Sequence, residues 1–199
     1  MAIYFIDGDN NPKENIKGIE LTAQSDEIHI FYASQNTYFC NEKNRKEVKA
    51  RTNAKLYFYK IRSGKNAVDF AVSIEAADKM HNATGQNFFL VSSDKHFELI
   101  TNILRSKAEK GTVIKRVNNL WEGVVANPEG IDSWDKVRLL MKTMLGNDGE
   151  ALCARIKSLQ PDEPKEQTLI QKFFRMMNIR KQGKKSVDCS GVGGRADIN

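Results

Sequence analysis

The 199-residue chain is poor in cysteine: Cys40, Cys153 and Cys189 are the only three, and no two form a CxxC pair. An odd number of widely spaced thiols argues against a disulfide framework and a cysteine zinc site, and points to reduced thiols in the cytoplasm. Long hydrophobic runs are missing too. The longest purely apolar stretches, such as residues 2–6, hold about five residues, far short of the ~20 needed to cross a bilayer. The N-terminus has no basic segment followed by an apolar stretch and a cleavage site, so neither a membrane partner nor a secretory signal is expected. There is no internal repeat. The tail glycines Gly191, Gly193 and Gly194 do not sit between a strand and a helix, which excludes a dinucleotide-binding loop.

What is present describes a folded protein. Hydrophobic residues make up 40% and charged residues 28% of the chain, a composition foreign to disordered segments. The length suits one α/β domain with a small appendage. Net charge is only +6, but its distribution is uneven. Between residues 43 and 65, Lys43, Arg45, Lys46, Lys49, Arg51, Lys55, Lys60, Arg62 and Lys65 face the single acid Glu47. Such a stretch attracts a polyanion. Its plainer reading is a solvated helix face, and the interleaved Tyr57, Phe58 and Tyr59 alternate as strand residues do.

Residues 1–117 alternate between strand and helix patterns. Period-two or apolar runs predict strands over 2–6, 27–32, 56–61, 87–91 and 112–117, while 41–52, 67–80 and 94–107 carry helical spacing. A helix-like segment with Ile16, Ile19 and Leu21 follows Pro12, which suits a first helical turn. The expected fold class is therefore α/β: a doubly wound, mostly parallel five-stranded sheet of Rossmann-like form. After Asn127-Pro128 the pattern turns helical around Trp134–Met144, Leu152–Leu159 and Leu169–Met177. We expect a domain over 1–128, a small C-terminal helical module over 129–182, and a flexible Gly-rich tail over 183–199.

In a doubly wound sheet, ligands bind beyond the carboxyl ends of the strands. Asp7 ends the first strand and Asp94 follows the fourth after Ser92-Ser93. Asp69 opens the helix that leaves the third strand, behind Lys65-Asn66. Asp9 adds another acid, and Asn10 another oxygen donor. Each has a plain alternative: Asp94 can cap its helix, and Asp69 can pair with Lys65 four residues back. Asp7 is hardest to dismiss, because a carboxylate ending an apolar strand needs a partner. Acids gathered at one edge repel one another unless a cation neutralises them, and oxygen-only donors favour Mg²⁺ or Mn²⁺ over zinc.

Three runs carry a resemblance. Phe5-Ile6-Asp7-Gly8-Asp9-Asn10, Gly64-Lys65-Asn66-Ala67-Val68-Asp69-Phe70 and Val91-Ser92-Ser93-Asp94-Lys95-His96-Phe97 resemble, in this order, the motifs of PIN-like nucleases. They come nearest to the bacterial branch beside the NYN group, and the likeness covers about residues 2–117. It implies a metal-dependent endoribonuclease hydrolysing RNA, with Mg²⁺ or Mn²⁺ held by Asp7, Asp69 and Asp94. It further implies that Lys65 and Asn66 orient Asp69 or contact phosphate, and that Ser92 and Ser93 shape the site. Lys43, Arg45, Lys46, Lys49, Arg51, Lys55 and Arg62 would then bind the RNA, single-stranded or structured. The C-terminal module would be open to a second copy of the chain or a protein partner. One position departs: many NYN relatives carry a second aspartate where this chain has His96, leaving Glu98 and Asp9 as stand-in acids. Two competing readings follow. A non-catalytic RNA-binding module would keep the basic stretch but not the metal. A haloacid-dehalogenase-type phosphatase would use Asp7 as nucleophile and Asp9 as acid/base, but it needs paired acids after a later strand, and residues 112–119 offer none.

Overall fold

The computed structural model describes residues 1–82, 85–127, 131 and 133–158. Five strands form one sheet: β1 (Ala2–Asp7), β2 (Glu27–Ala33), β3 (Lys55–Ile61), β4 (Asn87–Val91) and β5 (Val113–Val117). All neighbouring pairs are parallel, in the order β3-β2-β1-β4-β5. The sheet is thus wholly, not just mostly, parallel. The chain winds outward from β1 to β3, then crosses back to place β4 on the other side of β1. The crevice between the carboxyl ends of β1 and β4 is the topological switch point.

Alternation along the strands divides the core between two faces. Ile3 and Phe5 of β1, Phe31 and Ala33 of β2, and Phe88 and Leu90 of β4 face α3 (Ala67–Asn82) and α4 (His96–Lys107). Val68, Val72 and Ala76 of α3 and Phe97 and Leu104 of α4 close that layer. Ala2, Tyr4 and Ile6 face the opposite way, toward Ile16, Ile19, Leu21 and Val48. The central strands are buried on both sides, which is why β1 and β4 read as near-continuous apolar runs. β3, at the edge, buries neither face fully.

The first crossover is broken up. Pro12–Asn15 is a single helical turn, α1, and Ile19–Leu21 a 3-10 turn, separated by Gly18 at φ 89°. A side chain at Gly18 would meet the backbone of Trp121, whose N–H bonds the Lys17 carbonyl. α2 (Glu42–Ala50) crosses to β3, with the Asn41 side chain accepting from the Lys43 N–H at its start. A helix that the apolar spacing did not suggest, α5 (Leu120–Ala126), follows β5, capped by Asn119. It buries Leu120 and Val124 under the face carrying Tyr4.

α6 (Trp134–Leu145) and α7 (Asn147–Ser158) bear out the first two helices expected after residue 128. Trp134, Val137, Leu140 and Met141 join the same buried cluster as Tyr4 and Ile6, so α6 completes the core. A side chain at Gly149 would strike the Met141 carbonyl, so α7 crosses α6 at the closest approach a glycine allows. The expected third helix with Leu169, Phe173 and Phe174, and the glycine-rich tail, lie outside the described residues.

Candidate active site

Strand parity decides which side chains meet at the switch point. Asp7 is in phase with Ile3 and Phe5, so it points to the face that α3 covers. Ser92, one step beyond β4, is in phase with Phe88 and Leu90 and faces the same way. The Ser92 hydroxyl donates to Asp7 Oδ2 at 2.9 Å. The backbone N–H groups of Asp9 and Asn10 reach Asp7 Oδ1 at 3.1 and 3.3 Å. Asp7 is only 4% exposed, and burial holds its carboxyl above the usual range against the pull of these hydrogen bonds.

The turn that follows is pinned from several sides. Gly8 N–H donates to the Phe31 carbonyl at 2.7 Å, and a Cβ there would lie 2.6 Å from that oxygen. Buried Asn15 donates to the carbonyls of Asp7 and Asn10 at 2.7 and 2.6 Å. Asp9 Oδ1 accepts from the Ala33 N–H at 2.9 Å and from Asn36 at 2.8 Å, tying the turn to the end of β2.

α3 brings in the third strand's acid. Asn66, in the left-handed region at φ 56°, accepts the Phe70 N–H on its carbonyl as the helix begins. Asp7, Asp9, Asn10, Asn66, Asp69 and Asp94 then line one cleft of about 350 Å³. Burial raises the Asp69 carboxyl, and the charges of Asp94 and Asp9 push it further the same way. Asp94 goes the other way: its Oδ1 accepts from the His96 N–H at 2.9 Å, which lowers its carboxyl together with the His96 ring and Arg116.

The remaining candidates are placed less uniformly. Ser93 Oγ accepts from Asn11 at 3.2 Å, outside the cleft lining. His96 Nδ1 stands 3.0 Å from Asp94 Oδ1 with its ring largely exposed. Glu98 turns to Arg105 at 3.4 Å, away from the acids. Lys65 is exposed and forms no ion pair among the described residues, so the alternative pairing with Asp69 is not formed.

The basic stretch is split across both edges of the sheet. Lys46 pairs with Glu42 at 2.8 Å and Lys43 with Glu47 at 4.0 Å on α2, while Arg45 bonds the Phe39 carbonyl. Arg51 pairs with Glu20, and Lys55 with Glu27, at the edge where strands start. The structure does not bring these two to the cleft. Lys49, Lys60, Arg62 and Lys65 are free of ion pairs among the described residues. Lys65 lies between Gly64 and Asn66, which line the cleft, and Arg62 two residues before Gly64.

Three supporting residues escape a reading of acids and motifs: Asn15, Asn36 and Arg116. Arg116 Nε donates to the Asp94 carbonyl and its Nη2 to the Ser93 carbonyl, both at 3.1 Å, so β5 clamps the loop that presents Asp94. Its signal was available: Arg116 is in phase with buried Ile114, an uncommon place for a guanidinium.

The donor set is chemically suited to a hard divalent cation: carboxylate and amide oxygens only, with like charges facing one another across one cleft. Among the described residues, no group of three His, Cys, Asp or Glu side chains is drawn together tightly enough to share one ion. Asp7, Asp9 and Asp94 each spend lone pairs on the hydrogen bonds above, Asp7 toward Ser92, Asp9 toward the end of β2 and Asp94 within its own loop.

A family model described as PIN domain matches residues 1–117. No curated protein and no solved structure matches the chain. The match spans more than half of the sequence and ends with β5; the chain belongs to the PIN domain family, generally a family of nuclease domains.

Proposed function

We propose that this PIN domain is a metal-dependent endoribonuclease of the bacterial branch near the NYN group, working in the cytoplasm, with Asp7, Asp69 and Asp94 holding Mg²⁺ or Mn²⁺. The observation that carries the reading is the cleft at the switch point that Asp7, Asp69 and Asp94 line together, where burial raises the Asp7 and Asp69 carboxyls and neighbouring acids push both the same way. When bound, the cation supplies Lewis acidity and neutralises charge on the scissile phosphate. The chain's own part is positioning. Ser92 and the Asp9 and Asn10 amides fix the Asp7 carboxylate, Arg116 fixes the Asp94 loop, and Asn66 sets the start of α3. Asn10 and Asn66 offer neutral oxygens and N–H donors toward phosphate. Polyanion binding falls to the basic stretch, chiefly Arg62 and Lys65 beside the cleft.

The reading is tested with labelled RNA in Mn²⁺ or Mg²⁺, with and without chelator. Wild type should cut and Asp94→Asn should be slower by about two orders of magnitude or more, while metal-free binding holds or tightens as a negative charge leaves the phosphate path. A second reading rests on His96, whose ring occupies Asp94 where many NYN relatives supply another aspartate: a module that binds RNA and does not cut it. Undiminished binding with no cleavage in either ion would select it.

A further inference from the structure

Asn10 lines the acidic cleft, and the next residue, Asn11, lines a second groove of about 560 Å³. Asn11 sits in the left-handed region at φ 52°, and its side chain is fastened across the sheet edge to Ser93 Oγ. The groove is lined by Pro12, Lys13, Glu14, Thr37, Tyr38 and Asn44 besides Asn11. Its chemistry is opposite to that of the cleft. Glu14, the only acid among these seven, is engaged by Lys17 at 3.6 Å and by Asn119 at 3.3 Å. Lys13 is exposed and has no carboxylate partner among the described residues; its ammonium lies 5.8 Å from the centroid of the Tyr38 ring.

The backbone that carries the ring is pinned, and the ring packs against the core. Asn36 Oδ1 accepts the N–H groups of Tyr38 and Phe39, Asn44 donates to the Tyr38 carbonyl at 2.9 Å, and the ring stands edge-on to buried Phe39 with centroids 5.0 Å apart. A partly open aromatic face beside an unpaired cation is the pairing that single-stranded nucleic acids use, base on ring and phosphate on cation. The acids of the cleft repel a polyanion, so a strand that reaches them needs cations along its path. Lys65 stands in sequence between Gly64 and Asn66, which line the cleft, and Lys13 lines the groove.

We propose that this groove is a nucleotide subsite for single-stranded RNA adjoining the cleft, in which Tyr38 stacks one base and Lys13 contacts its phosphate. The proposal names the substrate path of the nuclease reading above and rests on it for the identity of the ligand. On binding, Lys13 leaves the ring face to the base and turns to the phosphate.

The test is fluorescence anisotropy of the full chain in EDTA, with a short single-stranded RNA and with an abasic oligomer of the same length. Tyr38→Ala and the bulkier Tyr38→Leu should weaken the base-bearing RNA by roughly 5- to 150-fold and leave the abasic oligomer unchanged, while Tyr38→Phe keeps wild-type affinity for both. Lys13→Gln should lower the salt slope for both oligomers by about 0.7, one phosphate contact. Wild-type affinity of Tyr38→Leu for the base-bearing RNA would overturn the proposal, as would equal losses on both oligomers or no binding by the wild type. Because no metal is present, this result is separable from cleavage: binding with the expected pattern and no cutting in Mn²⁺ would sink the nuclease reading and leave the subsite standing.

Discussion

Asp7 combines two demands that oppose each other. It ends a strand that is buried along its whole length, where an ionised carboxylate is costly, and it is kept there by two N–H donors of the turn that follows and by the Ser92 hydroxyl beyond β4. Gly8 makes the turn possible. Gly8→Ala pushes a methyl group against the Phe31 carbonyl and the Phe39 ring, and should cost about 1–3 kcal/mol of stability as well as displacing Asp7. Denaturant unfolding with an unchanged midpoint would contradict that account. Arg116 acts one step farther out, through the carbonyls of Ser93 and Asp94. Arg116→Lys keeps the charge but loses the fork, and cleavage should fall about 10- to 100-fold, as when partners of metal ligands are removed. Full activity in Arg116→Lys would show that charge alone suffices. At this scale the sequence spoke clearly for the acids and hardly at all for their holders. Asp7, Asp69 and Asp94 announce themselves by residue type at element ends. Asn15 and Asn36 work through backbone carbonyls and amides that only the closed turn brings near, and no spacing encodes that.

β2 and β3 show what element-level reading catches and misses. The alternation of Ile28, Ile30 and Tyr32 located β2, and the resulting parity places His29 on the opposite face. There the ring stacks between Phe5 and Tyr57, its Nδ1 bonds Tyr59 at 2.9 Å, and its buried Nε2 lies 3.5 Å from Glu27. Burial, helped by the charge of Lys79, lowers its pKa to about 4. The folded state therefore refuses a proton that the unfolded chain accepts near pH 6.5. Stability contributed by His29 is complete above that value and is lost as pH falls toward 4, by up to about 3 kcal/mol. His29→Phe should keep the stack and flatten this part of the pH dependence of unfolding. Parallel wild-type and variant curves between pH 4.5 and 7 would remove His29 as the cause. β3 was legible as a strand from Tyr57, Phe58 and Tyr59, but not its edge position, which depends on the order of strands in space. The same gap explains the basic stretch. One run of nine cations looks like one surface, yet α2 carries it from one sheet edge to the other, and Arg51 and Lys55 end among local acids.

At the scale of the whole molecule, the winding order puts the cleft where the first and fourth strands part, and the later helices keep that frame rigid. α5 was hidden because its short apolar pattern follows directly on a strand; α6 was visible from Trp134, Leu139, Leu140 and Met144. Trp134 is 7% exposed within the cluster that contains Tyr4 and Ile6, so Trp134→Ala should cost about 3–5 kcal/mol and lower the melting temperature by roughly 10 °C. An unchanged melting temperature would make α6 an independent appendage. The acid cleft carries the proposed chemistry, and Asp69 tests it most directly, because it comes from a different element than Asp7 and Asp94 and has no structural bond through its carboxylate among the described residues. The decisive measurement is Mn²⁺ titration of RNA cleavage by wild type and Asp69→Asn, each confirmed as folded by its melting curve. The account predicts metal-dependent cleavage by the wild type and a loss of about two orders of magnitude or more in Asp69→Asn at saturating Mn²⁺, with unchanged melting. Equal rates for the two proteins would contradict it.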